Sequence, residues 1–134
     1  MKSKLILTCA VVVILLCLVA CGVAPKEVSV DASYSGKEVK LGVGGSLIVT
    51  LESNPASTGF QWELTENSDE TVLQWVDQRY EPPEEGGMVG APGKEIWTFK
   101  ALKKGESSIS LEYSQPWEGG TKAAETFELT VVVM

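Results

Sequence analysis

"SLIVTLESNPASTGFQWEL", residues 46 to 64, holds two apolar runs of period two, Leu47, Val49, Leu51 and Phe60, Trp62, Leu64, with a proline, a glycine and small polar residues between them. Alternation of this kind marks β-strands with one buried face. The stretch between the runs is longer than the two residues in which a hairpin can turn. It is also stiffened on both sides: Asn54-Pro55 restricts the backbone ahead of the proline, and Thr58-Gly59 favours a turn. Small residues between these points would let the backbone come close to a narrow cleft.

The same period recurs outward from this stretch, at Val39, Leu41, Val43; Leu73, Trp75; Trp97, Phe99, Ala101; Ile109, Leu111, Tyr113; and Phe127, Leu129, Val131, Val133. No window carries a convincing 3.6-residue stripe, and Gly, Pro, Asn and Ser bound the runs. The pattern predicts an all-β fold, an Ig-like β-sandwich of seven to eight antiparallel strands spanning residues 37–134. Trp62, Trp75 and Trp97 lie in alternating runs and are expected as core or partly buried residues of the sandwich. Residues 21–36 read as a tether with one short strand at Val28 to Asp31.

Residues 1–20 read as a secretory signal, with Lys2 and Lys4 ahead of an apolar run from Leu5 to Ala20. The run ends in Leu18-Val19-Ala20-Cys21, which resembles a bacterial-type lipobox. Cleavage before Cys21 and lipid on its thiol would tether the chain to the outer face of the cell membrane or to the outer membrane, several acyl chains being what stable anchoring requires. An uncleaved anchor helix is the alternative. In both readings the remaining chain lies outside the cytoplasm.

Cys9 and Cys17 fall in the signal, so a processed chain keeps Cys21 alone and has no disulfide framework. The full sequence has 11 basic and 18 acidic residues; without Lys2 and Lys4, 9 face 18, a net charge of −9. That balance argues against nucleic acid as a partner, since a phosphate backbone calls for a basic face, and suits a soluble exported monomer. There is no histidine, so Ser-His-Asp and Cys-His catalysis and histidine or cysteine zinc sites are excluded. The pairs Asp69-Glu70 and Glu84-Glu85 are sequence neighbours in solvated loops, without the deep cleft that paired acid and base steps need. No enzyme activity, metal or cofactor is expected.

In a succession of antiparallel strands every second connection lies at the same end. "SNPASTG" (53–59), "EPPEEGGMVGAPG" (81–93) and "SQPWEGGTK" (114–122), all rich in Pro and Gly, fall at one end; "TENSDET" (65–71) and "KKGES" (103–107), short and charged, fall at the other. Clustered loops of this kind make a binding surface. Trp117 lies in a loop after a proline, where no alternation directs it inward. It is either a contact residue held out on a stiff loop or a plug folded back on the sandwich end.

Three of these stretches, in order, resemble the loop signatures of the chagasin-type inhibitors of papain-like cysteine peptidases, a family of small Ig-like β-sandwich proteins: Asn-Pro-x-Thr-Gly-aromatic in "NPASTGF", Gly-x-Gly-Gly in "GAPG", and Arg-Pro-Trp in "QPW". The similarity covers roughly Lys37 to Val133 and includes "IWTFKAL", which looks like the family's Phe-x-Phe-Lys-Ala strand. The resemblance implies a reversible, non-covalent inhibitor that occludes a peptidase cleft. The peptidase-binding residues would be Asn54, Pro55, Ala56, Ser57, Thr58, Gly59 and Phe60 in the first loop, Gly90, Ala91, Pro92 and Gly93 in the second, and Gln115, Pro116 and Trp117 in the third. The chain departs from the family in three places. Either Ala56 or Ser57 is an extra residue, Pro92 replaces a glycine, and Gln115 replaces an arginine, which removes a charge and a fork of donors. The reading from another class is an extracellular Ig-like lipoprotein that binds an envelope protein or a polysaccharide. Against a sugar, only Trp117 and Tyr113 offer aromatic faces near the loop end.

Overall fold

The structure, a computed structural model, describes residues 23–84 and 90–134. Cys21, the apolar run before it and Glu85 of the Glu84-Glu85 pair lie outside the described residues. Eight strands form: β1 (Glu27–Val30), β2 (Lys37–Leu41), β3 (Ser46–Ser53), β4 (Gln61–Asn67), β5 (Leu73–Glu81), β6 (Gly93–Ala101), β7 (Gly105–Ser114) and β8 (Glu125–Val133). They make two four-stranded sheets, ordered β1-β3-β6-β5 and β2-β8-β7-β4. The alternating residues of the two inner faces meet in one core, with Leu41, Leu47, Leu51, Leu73, Phe99, Ile109, Leu111 and Phe127 essentially without exposure. Burial of one residue in two along each strand is what fixes the register, because a slip by one would turn every apolar side chain to water.

Three features differ from the sequence expectation. Residues 27–30, expected in the tether, are part of the sandwich: β1 pairs with β3 from Glu27↔Ser46 to Val30↔Val49, and Val30 is buried in the core. Second, that pairing and the pairing of β2 with β8 are parallel, while the other four are antiparallel. The cause is the connection. β1 and β2 belong to different sheets, joined by a 3-10 turn at Ala32–Tyr34 whose N-cap Asp31 accepts from Ser33 N–H, so they cannot form a hairpin.

The third difference is Trp75, which is 48% exposed, whereas Trp62 and Trp97 are buried as expected. Trp75 pairs with Phe99 on the inward face, but β5 is an edge strand and its register shifts between Trp75 and Asp77. At that margin the opposing sheet does not cover the ring. It tilts against Trp97 instead, centroids 5.3 Å apart, and its indole N–H donates to the Asp77 carbonyl at 3.0 Å.

Candidate functional site

The register places the three Pro- and Gly-rich connections at one end. Ser53 at the end of β3 is opposite Gly93 at the start of β6, and Glu81 at the end of β5 is opposite Lys94. Gln61 at the start of β4 is opposite Ser114 at the end of β7, whose Tyr113 is opposite Glu125 at the start of β8. Connections 54–60, 82–92 and 115–124 therefore emerge together. The turns 42–45, 68–72 and 102–104 lie at the far end.

The first connection is not an open loop. Pro55–Thr58 forms a single helical turn, α1, in which Thr58 N–H donates to the Asn54 carbonyl at 3.1 Å and Gly59 N–H to the Pro55 carbonyl at 2.8 Å. Proline at the first helical position and a left-handed glycine after the last one are the residues that start and stop such a turn; Gly59 has φ 74°. Thr58 locks it further. Its hydroxyl donates to the Asn54 carbonyl at 2.7 Å and accepts from Phe60 N–H at 3.1 Å. Ala56, Ser57 and Thr58 form the exposed tip, with Asn54, Pro55, Gly59 and Phe60 half-buried at its base.

Side chains then tie the loops together. Asn54 Nδ2 donates to the Gly90 carbonyl at 3.0 Å, joining the first loop to the second. Gln115 joins the first to the third: its Nε2 donates to the Thr58 carbonyl at 3.3 Å, while its Oε1 accepts from Thr121 N–H at 2.9 Å. Within the third loop the Lys122 ammonium donates to the carbonyls of Gln115 and Trp117. Pro116 is exposed beside Trp117, which is itself 50% exposed. The Trp117 indole neither stands free nor plugs the sandwich core. Its six-membered ring lies on Gly59, where an added Cβ would come within 2.3 Å of Cη2, and its Nε1 edge lies by Gly120, where an added Cβ would come within 3.1 Å.

In the second loop Gly90 is exposed at φ 82°, Ala91 is half-buried and Pro92 exposed. Gly93 differs from its neighbours. It is buried at the start of β6, and a Cβ there would meet the Glu81 carbonyl at 2.4 Å and the Tyr80 hydroxyl at 2.5 Å, so glycine is what lets β5 and β6 close at this point.

Beneath the loops is a support that the sequence did not reveal. Tyr113 stacks on Phe60 with centroids 5.3 Å apart and lies tilted against Trp62 at 5.1 Å, and its hydroxyl accepts from Asn54 N–H at 2.9 Å. Glu95 is a buried carboxylate, 2% exposed, between the two sheets: Oε2 accepts from Trp62 N–H and Oε1 from Gln78 Nε2, both at 2.9 Å. It fixes the base of the first loop against β6. For Tyr113 the available signal was its inward position at the end of β7. For Glu95 it was a charged residue in an otherwise apolar inward series. Asp69 of the Asp69-Glu70 pair lies at the far end of the sandwich and holds Thr71 through its carboxylate.

The model of the chagasin family peptidase inhibitors, I42, matches residues 40–131. Amoebiasin-2 of Entamoeba histolytica is 35% identical over 85 residues, which span 63% of this chain and 68% of that protein. The crystal structure of the cysteine protease inhibitor EhICP2 from Entamoeba histolytica is similar with a TM-score of 0.70 and 26% identity, covering 81% of this chain and 96% of that one. The solution structure of Amebosin has a TM-score of 0.65 and 25% identity over 82% of this chain and 99% of that one. With a matched sequence that takes in all three loops and a sandwich that gathers them at one end, the chain belongs to the chagasin family: it is an inhibitor of papain-like cysteine peptidases and not an enzyme.

Proposed function

We propose that residues 54–60, 90–93 and 115–117 act as one preformed wedge that occludes the peptidase cleft, reversibly and without a covalent step. The observation that carries this reading is the cross-linking of the three loops: Asn54 to Gly90, Gln115 to Thr58, and Trp117 on Gly59. Ordering a loose loop on binding costs free energy for every residue fixed, and a loop already held in place avoids that cost. The helical turn at Pro55–Thr58 also keeps the tip out of the extended shape in which a peptidase cleaves a chain. The tip enters the cleft near the catalytic cysteine, and the Gly90 loop and Trp117 flank it.

Cys21 carries the lipid in this reading, and the inhibitor acts from the outer face of a membrane. The support is the lipobox-like Leu18-Val19-Ala20-Cys21 after an apolar run. Titration of the domain from Gly22 onward against papain tests the wedge: competitive inhibition with the inhibitor uncleaved after long incubation is expected, and a folded domain without inhibition at tens of micromolar would sink it. Cys21→Ser tests the lipid, since the variant should no longer be processed or enter the detergent phase.

A further inference from the structure

The end of the sandwich opposite the three loops has a character of its own. Residues 24–26 are laid against the 42–45 turn there: Gly42 N–H donates to the Pro25 carbonyl and Ser46 N–H to the Lys26 carbonyl, both at 2.8 Å. The fit is close. A Cβ added at Gly45 would come within 2.7 Å of the Lys26 carbonyl oxygen. The N-terminal segment thus joins the sandwich at this end along a fixed path. Val23 is 81% exposed, and the two residue steps from it back to Cys21 reach no more than about 7 Å.

Charge and apolar surface follow the same polarity. Lys26, Lys103 and Lys104 lie at this end, with Lys40 and Lys100 one residue inside the ends of β2 and β6. These are five of the nine basic residues that remain without Lys2 and Lys4, whereas Glu27, Glu66, Asp69, Glu70 and Glu106, five of 18 acidic residues, share the end with them by the same measure. Beside the lysines, Leu102, 43% exposed, and the half-exposed Trp75 line a shallow groove with Leu64 and Gln74, whose rim also carries Glu70. Tryptophan and leucine next to lysine are residue types that rest at the boundary between headgroups and hydrocarbon.

We infer that this end is a membrane-contacting face, seated on anionic headgroups through its lysines with Leu102 and Trp75 at the boundary, so that the three loops point away from the bilayer. The inference rests on the anchoring at Cys21 proposed above, and an apolar helix retained over residues 5–20 would lead to the same face. Charge selects this orientation. A domain with a net charge of −9 is repelled by an anionic surface, and the end that concentrates its lysines is the one such a surface tolerates.

The test uses the full-length chain in vesicles of phosphatidylglycerol and phosphatidylethanolamine that contain a spin-labelled lipid. Lys104→Cys and Glu118→Cys, each in a Cys9→Ser, Cys17→Ser background, are labelled with an environment-sensitive fluorophore. Quenching at position 104 is expected to exceed that at 118 several-fold, and the unlabelled tethered protein should inhibit added papain as fast as the detergent-solubilised protein does. Quenching at 118 equal to or above that at 104 overturns the orientation, and quenching at neither position on vesicle-bound protein overturns the contact. A chain that does not stay with the vesicles overturns the anchor and this face together. Quenching at 104 with no inhibition, tethered or solubilised, would instead sink the wedge alone.

Discussion

The indole of Trp117 rests on Gly59, with no room between them for a methyl group: a Cβ on Gly59 would lie 2.3 Å from Cη2 and 2.8 Å from Cζ3. The first and third loops are therefore in register with each other only while residue 59 is glycine, which its φ of 74° also favours. Gly59→Ala is expected to cost roughly 1–2 kcal/mol of stability from the left-handed backbone alone, and to weaken inhibition by more than the stability loss explains because the ring must move. Denaturant unfolding and inhibition titrations on one preparation separate the two effects.

Trp117→Ala should behave differently, because the ring is half exposed and touches the loops rather than the core. The melting temperature is expected to stay within a few degrees. Peptidase binding should weaken by about 2 kcal/mol or more, the scale of an interface hot spot. A variant that melts far earlier, or inhibits as well as the parent, would show that Trp117 is misassigned.

Trp62→Ala is the opposite case. The side chain is 7% exposed, packs on Tyr113 and donates from Nε1 to the Glu52 carbonyl at 2.9 Å. A loss of roughly 3–5 kcal/mol is expected, as for other buried aromatics, with inhibition falling only as far as the folded fraction does.

Glu95 separates a charge from a hydrogen-bond acceptor. Glu95→Ala leaves the buried Trp62 N–H without its partner, at a cost of about 1–3 kcal/mol. Glu95→Gln should recover most of it, since the new amide keeps an oxygen for Trp62 N–H and can turn its NH2 to the oxygen of a flipped Gln78 side chain. Equal destabilisation by both variants would mean that the charge itself is what the fold requires.

The strands and the loop end were legible in the sequence because both follow from counting: inward residues alternate, and strands that reverse direction one after another return every second connection to one end. What counting does not reach is shape at the margins. Trp75 obeys the alternation and still lies half in water, because the pattern names a face and not how far the opposite sheet extends. β1 has only Val28 and Val30 to announce it, and its partner β3 lies beyond β2. In the first loop the proline and glycine that begin and end α1 were visible, but one turn is too short to show a stripe. Gln115, by its place in the family's arginine position, read as a contact residue; its bond to the Thr58 carbonyl makes it a brace between loops as well.

pH dependence provides a further check. The Ser33 hydroxyl and backbone N–H hold the Asp31 carboxyl below the ordinary aspartate value of 3.8, and those of Thr71 do the same for Asp69. Depressed acids stabilise the fold above that value, and the contribution is lost as pH falls through the lower folded midpoints. Asp31 is exposed and Asp69 only half-buried, so solvent screens both and the effect on stability is small; NMR titration should place both midpoints below 3.8. With no histidine in the chain, any change in inhibition between about pH 5 and 8 is expected to follow the peptidase's own titrating groups.

The parallel pairing of β2 with β8 sets an order of events. Lys37 through Leu41 align with Leu129 through Val133, almost the full length of the domain away, and contacts so distant in the chain form late and slowly. During synthesis β2 has no partner strand to join until β8, the last, has been made. In the export proposed above, a chain whose fold closes only from its far end would stay unfolded while it is threaded across a membrane and complete itself once the last strand has crossed.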